Sequence, residues 1–227
     1  MAQTAAGKTN WFAIWTSVAV VAIIAVLVIV VVAMNNSASA PATRPDSAGI
    51  NQQTGAVVVG TGSDEVDLYF DFFCPHCQDF EDIYGETLSD AVGDGSITLN
   101  LHPVALAGLN AASGTDFSKR SANALYCVAD AEPSAAYPFM QAVFAEHPTG
   151  QGLTDEQLAA MADTAGAGDI AGCLADRPWD DLVAEQTKSL PANPADGSAG
   201  TPTLVVNGEY VKVTGDPQAD ITARLGQ

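Results

Sequence analysis

The sequence predicts an α/β protein in which a helical insert interrupts a mixed sheet and an apolar helix precedes the whole. Three observations support this class. Residues 11–34 form an apolar run without a single charge. A strand–helix–strand order is followed by a long alanine-rich segment. A hairpin signal and a final helix then close the chain.

The apolar run at 11–34 predicts a transmembrane anchor. About 24 residues rising about 1.5 Å each make a helix of roughly 36 Å, enough to cross a hydrocarbon layer of about 30 Å. A cleaved signal peptide is the alternative, because Ala38–Ala40 resembles a cleavage site, but the run is too long and Pro41 would follow the cut. Lys8 precedes the run, so the positive-inside rule predicts a single-pass cell-membrane protein with a short cytoplasmic tail at 1–10 and an extracytoplasmic body.

The rest of the chain divides into a linker and one folded domain. Residues 35–55 are small, polar and contain proline, which is typical of a flexible tether, and the domain is expected at 56–227. The formal net charge is −19 and no cluster of Lys and Arg occurs, which argues against nucleic acid as a partner. Outside the cytoplasm the four cysteines can persist as disulfides.

The hydrophobic patterns place the elements of this domain. An alternating apolar face predicts a strand at 66–73, and Asn207-Gly208 predicts a tight hairpin turn. A helical insert is expected at about 105–190, with about four helices after residue 118 and a capping box at Thr154 and Gln157. The other predicted elements are strands at 56–59 and 96–101, a helix at 75–92, hairpin strands within 203–213 and a last helix at 217–225.

The stretch DFFCPHCQDF at 71–80 carries the chemistry. With Pro75 at the first helical position, Cys74 caps the helix and its thiolate is favoured by the free amide groups and the helix dipole. Cys77 belongs to the apolar stripe of the helix and is expected to be shielded, while Cys74 is expected to be exposed. His76 is predicted to favour the thiolate further, although it is alternatively a plain surface residue. Asp71 is expected to be solvated and screened.

A zinc site is the alternative reading of the same cysteines. A structural site needs four ligands, usually as two close pairs, and no second CxxC is present. His102 and His147 each lie beside a proline and are interpreted as turn residues. No metal site is therefore predicted.

A second signal lies at Gly200–Thr203, just before an apolar strand. An internal proline is normally excluded from such a strand. A cis Thr201–Pro202 bond would turn the chain sharply and present the backbone of Thr201 to the sulfur pair, where an extended substrate peptide could add as a strand. The alternative is an ordinary turn proline.

These stretches resemble the DsbA family of thiol–disulfide oxidoreductases, which have the thioredoxin fold. YFDFFCPHCQDFE at 69–81 and GTPTLVVNGEY at 200–210 carry the resemblance, with the helical block between them where that family has its insert. The apolar N-terminus and the extra cysteine pair resemble membrane-anchored actinobacterial members. The resemblance covers roughly residues 55–227 and implies a thioredoxin-like α/β fold. It also implies catalytic roles for the residues Cys74, Pro75, His76, Cys77, Thr201 and Pro202.

One position departs from the family pattern. Six residues before the first cysteine the family has a buried acid, and here Leu68 stands in its place. Water or Asp67 is expected to handle the proton of Cys77 instead.

The remaining cysteines, Cys127 and Cys173, lie in predicted helices of the insert. We expect them to form a structural disulfide, because free thiols outside the cell risk oxidation. Two buried, unpaired thiols are the alternative.

The function that follows is an extracytoplasmic oxidase that donates its Cys74–Cys77 disulfide to exported proteins with free cysteines. The resemblance implies a quinone-linked membrane partner of the DsbB or vitamin-K-epoxide-reductase-like kind, and no organic cofactor or metal beyond the redox-active disulfide. Two alternatives remain: the same fold acting as a reductase or isomerase, and a tethered binding module whose CPHC disulfide is merely structural.

Overall fold

The computed structural model describes residues 11–39 and 41–226, which fall into two compact units that divide after Pro41. The N-terminal unit contains helix α1, Trp11–Ser39. Several of its side chains, among them those of 31–39, lie outside the described set, as does the predicted tail at 1–10. Within the described part of the chain, no helix qualifies as a membrane span. The transmembrane role of 11–34 therefore stays a prediction.

The second unit is built on a five-stranded mixed sheet, as the sequence predicts. The strand order is β1-β3-β2-β4-β5, in which β2 and β3 run parallel and the other neighbouring pairs run antiparallel. The strands are β1 Val57–Gly60, β2 Asp64–Phe70, β3 Ile97–Pro103, β4 Thr203–Val206 and β5 Glu209–Val211.

Helices pack around this sheet and form the insert between β3 and β4. Helix α2, Pro75–Gly93, connects β2 to β3. About four helices were expected after residue 118, and the segment contains more helices than that. One reason is that Arg177, in a left-handed conformation, ends one short helix just before the next begins. The remaining helices are α3 Ala107–Ser113, α4 Phe117–Ala131, α5 Ala136–Ala145, α6 Asp155–Ala165, α7 Ala171–Asp176, α8 Asp180–Lys188 and α9 Pro217–Asp220.

The local sequence signals explain most of these boundaries. Thr154 and Gln157 form the expected capping box at the start of α6. Asn207 and Gly208 have φ angles of 49° and 80°, which the predicted tight turn between β4 and β5 requires. The C-terminal segment is shorter than predicted, since α9 ends at Asp220 and only a 3₁₀ turn follows.

The core lies between β2 and α2, directly below the CPHC motif. Val66, Leu68 and Phe70 project from one face of β2 and are almost fully buried. They share one buried apolar core with the stripe of α2, in which Tyr84 and Leu88 have no exposed surface. The rigid strand and helix thus fix the position of the residues between them.

The folded unit begins at Ala42, earlier than the boundary at 56 that the sequence indicated. Arg44 forms an ion pair with Glu185 of α8, and the Ser47 hydroxyl donates to the Ala129 carbonyl at 2.9 Å. Ile50 is buried. Residues 42–55 are thus packed on the domain, because charge and polar contacts to distant helices hold a segment whose composition is typical of a tether.

Candidate active site

The two cysteines of the CPHC motif lie where the chain leaves the sheet and enters α2. Cys74 is the N-cap residue of α2 and Pro75 occupies the first turn. The Cys74 carbonyl accepts from the N–H groups of Cys77 and Gln78 at 3.0 and 3.2 Å, so the first helical turn is closed around the pair. The predicted capping arrangement is confirmed.

Both sulfur-bearing residues are buried and carry free thiols in this structure. Cys74 is 5% exposed and Cys77 is 2% exposed. The expected difference in exposure is thus wrong, because the fold buries Cys74 as well, with the carbonyl oxygen of the distant Thr201 against its sulfur. The two thiols differ instead in their chemical environment.

The pKa of Cys74 is lowered from 9.0 to about 5 by hydrogen bonds that stabilise its thiolate. The largest effect is donation from the Cys77 thiol, which outweighs the opposing effect of burial. The Thr201 side chain and the main-chain N–H groups of Cys77 and His76 lower the pKa further. Cys74 is therefore a thiolate at neutral pH.

The pKa of Cys77 moves in the opposite direction, well above 9.0. Burial is the largest cause, and the neighbouring Cys74 adds to it, because a second negative charge beside a thiolate is unfavourable. One thiolate and one thiol therefore share this site, which is the asymmetry that an attacking and a resolving cysteine require.

The Thr201–Pro202 segment completes the site from the far end of the chain. Their peptide bond is cis, and the Thr201 carbonyl oxygen lies 3.4 Å from Cys74 Sγ. The Thr201 hydroxyl is buried and has no hydrogen-bond partner within the described part of the chain, which leaves it available to donate to the Cys74 thiolate. The structure thus brings together the two stretches that the sequence analysis singled out, 127 residues apart.

The His76 side chain contributes less than its position in the motif indicates. It is 82% exposed, and its Nδ1 lies 3.7 Å from Asp79 Oδ2. Only its main-chain N–H acts on Cys74. The favourable environment of the thiolate comes from hydrogen-bond donors at the helix start rather than from the imidazole.

Asp67 cannot replace the missing acid at Leu68, contrary to expectation. It projects from the opposite face of β2, where its Oδ1 lies 2.9 Å from His102 Nε2. His102 is buried in β3, so it is not a turn residue either. The other predicted turn histidine, His147, lies in a loop.

Asp71 is the residue that sequence reasoning placed wrongly. It was expected to be solvated, but it has no exposed surface. Burial raises the pKa of its carboxyl from 3.8 to about 6. The N–H groups of Phe73 and Leu106 donate to the carboxylate and lower the pKa, but burial has the larger effect. The sequence did contain a signal for this burial, because Asp71 is a single polar residue within the aromatic run that leads to the helix cap.

The other two cysteines, Cys127 and Cys173, are joined by a disulfide, with their Cα atoms 5.9 Å apart. The bond links α4 to α7 within the insert. It is separate from the sulfur pair of the site, and it joins the residues that the sequence analysis assigned to a structural disulfide. Among the described residues, no group of three or more His, Cys, Asp or Glu side chains is arranged to hold a metal ion.

The chain belongs to the thioredoxin family, whose model matches residues 55–220. Within that class, the DsbA-type resemblance predicted from the CPHC and Thr201–Pro202 stretches is confirmed by solved structures, and the chain is a thiol–disulfide oxidoreductase. No curated protein sequence matches it.

Three solved structures illustrate the likeness. Oxidized DsbA of Mycobacterium tuberculosis has 29% identity and a TM-score of 0.64, covering 76% of this chain and 93% of its own. Reduced DsbG of the same organism has 27% identity and a TM-score of 0.60, covering 83% and 88%. MdbA of Corynebacterium diphtheriae, a thiol–disulfide oxidoreductase, has 20% identity and a TM-score of 0.62, covering 82% and 96%, and shows the fold alone.

Proposed function

We propose that this protein is a membrane-tethered, extracytoplasmic thiol–disulfide oxidase that donates the Cys74–Cys77 disulfide to exported proteins. The observation that carries the proposal is the stabilised Cys74 thiolate, whose pKa is about 5. A stable thiolate favours the reduced form of the pair and so makes its disulfide oxidising. A pKa two units below pH 7 corresponds to about 3 kcal/mol, or about 60 mV for a two-electron couple.

The proposed reaction proceeds in two exchanges. A substrate thiolate attacks Cys74, the Cys74–Cys77 bond breaks and Cys77 takes up a proton. A second substrate thiolate then attacks the substrate sulfur of the mixed disulfide and expels Cys74 as a thiolate. A low pKa makes Cys74 a good leaving group in this second step. In this proposal Pro75 shapes the N-terminal cap of α2, and the Thr201–Pro202 segment pairs with the substrate backbone.

The proposed location rests on α1. Its described apolar side chains are largely exposed, for example 68% at Trp11 and 66% at Ile29. An exposed apolar surface of this size is typical of a site that contacts a membrane or another protein. We propose that residues 11–34 anchor the protein in the cell membrane with the tail at 1–10 in the cytoplasm. A quinone-linked partner in the same membrane, DsbB-like or vitamin-K-epoxide-reductase-like, would reoxidise the pair, with no cofactor on this chain.

Equilibration with glutathione tests the direction of exchange. We expect the Cys74–Cys77 pair to stay reduced in glutathione mixtures that oxidise a thioredoxin-like dithiol, because the thiolate stabilises the reduced form. The protein should also speed disulfide formation in a reduced, unfolded substrate, and Cys74→Ser should not.

A potential near that of thioredoxin would contradict the oxidase proposal and favour a reductase. Failure of the wild-type protein to speed disulfide formation would favour a binding module with no redox role. The double variant Cys127→Ser/Cys173→Ser is the matched control, since it removes a disulfide outside the site.

A further inference from the structure

Asp71 and Cys74 are two acidic groups in one buried region. We propose that they compete for one negative charge, so that Asp71 holds its proton to a higher pH when the Cys74–Cys77 pair is reduced than when it is a disulfide. The inference rests on the thiol chemistry of the proposed function, but not on the direction in which exchange runs.

The carboxyl group of Asp71 is held in a fixed position beside the helix cap. Its Oδ1 accepts from the Phe73 N–H at 2.9 Å and its Oδ2 accepts from the Leu106 N–H at 2.8 Å. The main-chain oxygen of Asp71 accepts from the Cys74 N–H at 3.0 Å. Asp71 thus starts the tight turn that delivers Cys74 to the start of α2.

Asp71 also interacts with both sulfurs. Its main-chain N–H lowers the pKa of Cys77 by hydrogen bonding, and the charge of Cys74 raises the pKa of Asp71 itself. Coupling of this kind is reciprocal, so an ionised Asp71 must disfavour the Cys74 thiolate equally.

No cation neutralises this pair within the part of the chain that the structure describes. The groups that act on the carboxyl are the Cys74 sulfur, the two N–H donors and the Ser118 side chain of α4, while Cys77 contacts only the main chain of Asp71. The basic residues next to Ser118 are otherwise engaged. Lys119 pairs with Asp180 at 3.1 Å and Arg120 pairs with Asp155 at 2.5 Å.

Two negative charges in such a buried region are costly, because little solvent screens them. In the oxidised protein Cys74 has no charge and Asp71 ionises more easily. In the reduced protein the thiolate occupies the site, so the carboxyl holds a proton to a higher pH. The hydrogen bonds that stabilise Cys74 decide which group keeps the charge.

The proton balance of reduction follows. Two substrate thiols supply two electrons and two protons and leave as a disulfide. The Cys74–Cys77 bond breaks, one proton binds to Cys77 and Cys74 remains a thiolate. Around pH 6, where the Asp71 carboxyl titrates, the other proton binds to this carboxylate, and at higher pH it passes to solvent. Asp71 therefore binds, in that pH range, the proton that the Cys74 thiolate does not take up.

Titration of the Asp71 carboxyl by ¹³C NMR in the full chain tests this directly. We expect its midpoint to be higher in the reduced protein than in the oxidised protein, by about one unit, which is a tenfold change in the protonation equilibrium. Equal midpoints in the two redox states would overturn the proposal. This measurement needs no variant and is independent of the glutathione result.

The variant Asp71→Asn tests the reciprocal effect. We expect the thiolate of Cys74 to titrate at a lower pH, with roughly threefold more thiolate at a given pH below the midpoint, because Asp71 is only partly ionised where Cys74 titrates. Asp90→Asn, which removes an exposed charge at the far end of α2, should leave the midpoint unchanged. A folded Asp71→Asn protein with an unchanged Cys74 midpoint would contradict the proposal. If the variant does not fold, the carboxyl titration decides.

Discussion

The low pKa of Cys74 is the product of several weak donors around one atom. The Cys77 thiol, the Thr201 side chain and two main-chain N–H groups together outweigh burial. The motif alone indicates the helix cap and its free amides correctly. It also indicates a role for the His76 imidazole that the side chain, exposed to solvent, does not have.

The donor geometry predicts unequal effects of two substitutions on Cys74. His76→Ala should change the titration midpoint little, because its main-chain N–H is retained. Thr201→Val should raise the midpoint, because a hydroxyl donor to the thiolate is lost. Thiolate absorbance against pH measures both, and a larger shift for His76→Ala than for Thr201→Val would refute this ranking.

The same thiolate predicts a pH dependence of stability in the reduced protein. The folded pKa of Cys74 is about 5 and its ordinary value is 9.0. A depressed pKa stabilises the folded state fully above pH 9, and the effect is lost as the pH falls to 5. The difference in free energy of unfolding between the reduced wild type and Cys74→Ser should therefore be about 2–3 kcal/mol larger at pH 7 than at pH 5.

Urea unfolding under reducing conditions at the two pH values measures this difference. A stability difference between the two proteins that stays constant from pH 5 to pH 9 would contradict the assigned pKa.

At the level of elements, a buried polar network joins the sheet to the insert. His102 of β3 contacts Asp67 of β2 at 2.9 Å and Gln186 of α8 at 2.8 Å. Gln186 also donates to the Thr54 carbonyl at 2.6 Å. Tyr69 stacks on the His102 ring with the centroids 4.0 Å apart. Four separate stretches of chain are thus fixed at one point.

Removal of the Gln186 amide should destabilise the domain. Gln186→Ala leaves His102 and the Thr54 carbonyl without their partners in a buried site, which we expect to cost about 2–4 kcal/mol. Gln218→Ala, at an exposed position on α9, is the control and should cost less than about 0.5 kcal/mol. Chemical denaturation compares the two, and equal losses would show that the network contributes little.

At the level of the whole molecule, two long-range links hold the insert and the N-terminal segment. The Cys127–Cys173 disulfide closes a loop of 46 residues. The contacts of residues 42–55 attach the start of the domain to α8 and α4.

Loss of the disulfide should lower stability without changing the chemistry of the site. For a loop of this length the chain-entropy model predicts about 4 kcal/mol. Cys127→Ser/Cys173→Ser should therefore unfold at lower denaturant concentration, while the Cys74 titration midpoint stays the same. A shifted midpoint would mean that the insert controls the site.

The N-terminal contacts predict where the domain can be truncated. A chain that starts at residue 42 should unfold cooperatively, whereas one that starts at 56 loses the Arg44–Glu185 pair and the buried Ile50. We expect the shorter chain to melt several degrees lower, since it loses on the order of 2 kcal/mol of apolar burial alone. Equal melting temperatures would support the linker assignment of 35–55.

The sequence by itself determined the features that depend on neighbouring residues. The Cys74 cap with Pro75 behind it, the turn at Asn207-Gly208 and the capping box at Thr154 are local, because each needs only the few residues around it. Strand alternation in β2 is local in the same sense, which is why the sheet and the helix below the motif were predicted correctly.

Only the tertiary structure decided which distant groups meet. Asp71 is buried because α3 and α4 close over it, Asp67 pairs with His102 across the other face of the sheet, and Thr201 reaches Cys74 from 127 residues away. Burial and electrostatic coupling depend on these contacts, and no local pattern encodes them. The sequence therefore locates the reactive sulfur, and the fold sets its charge.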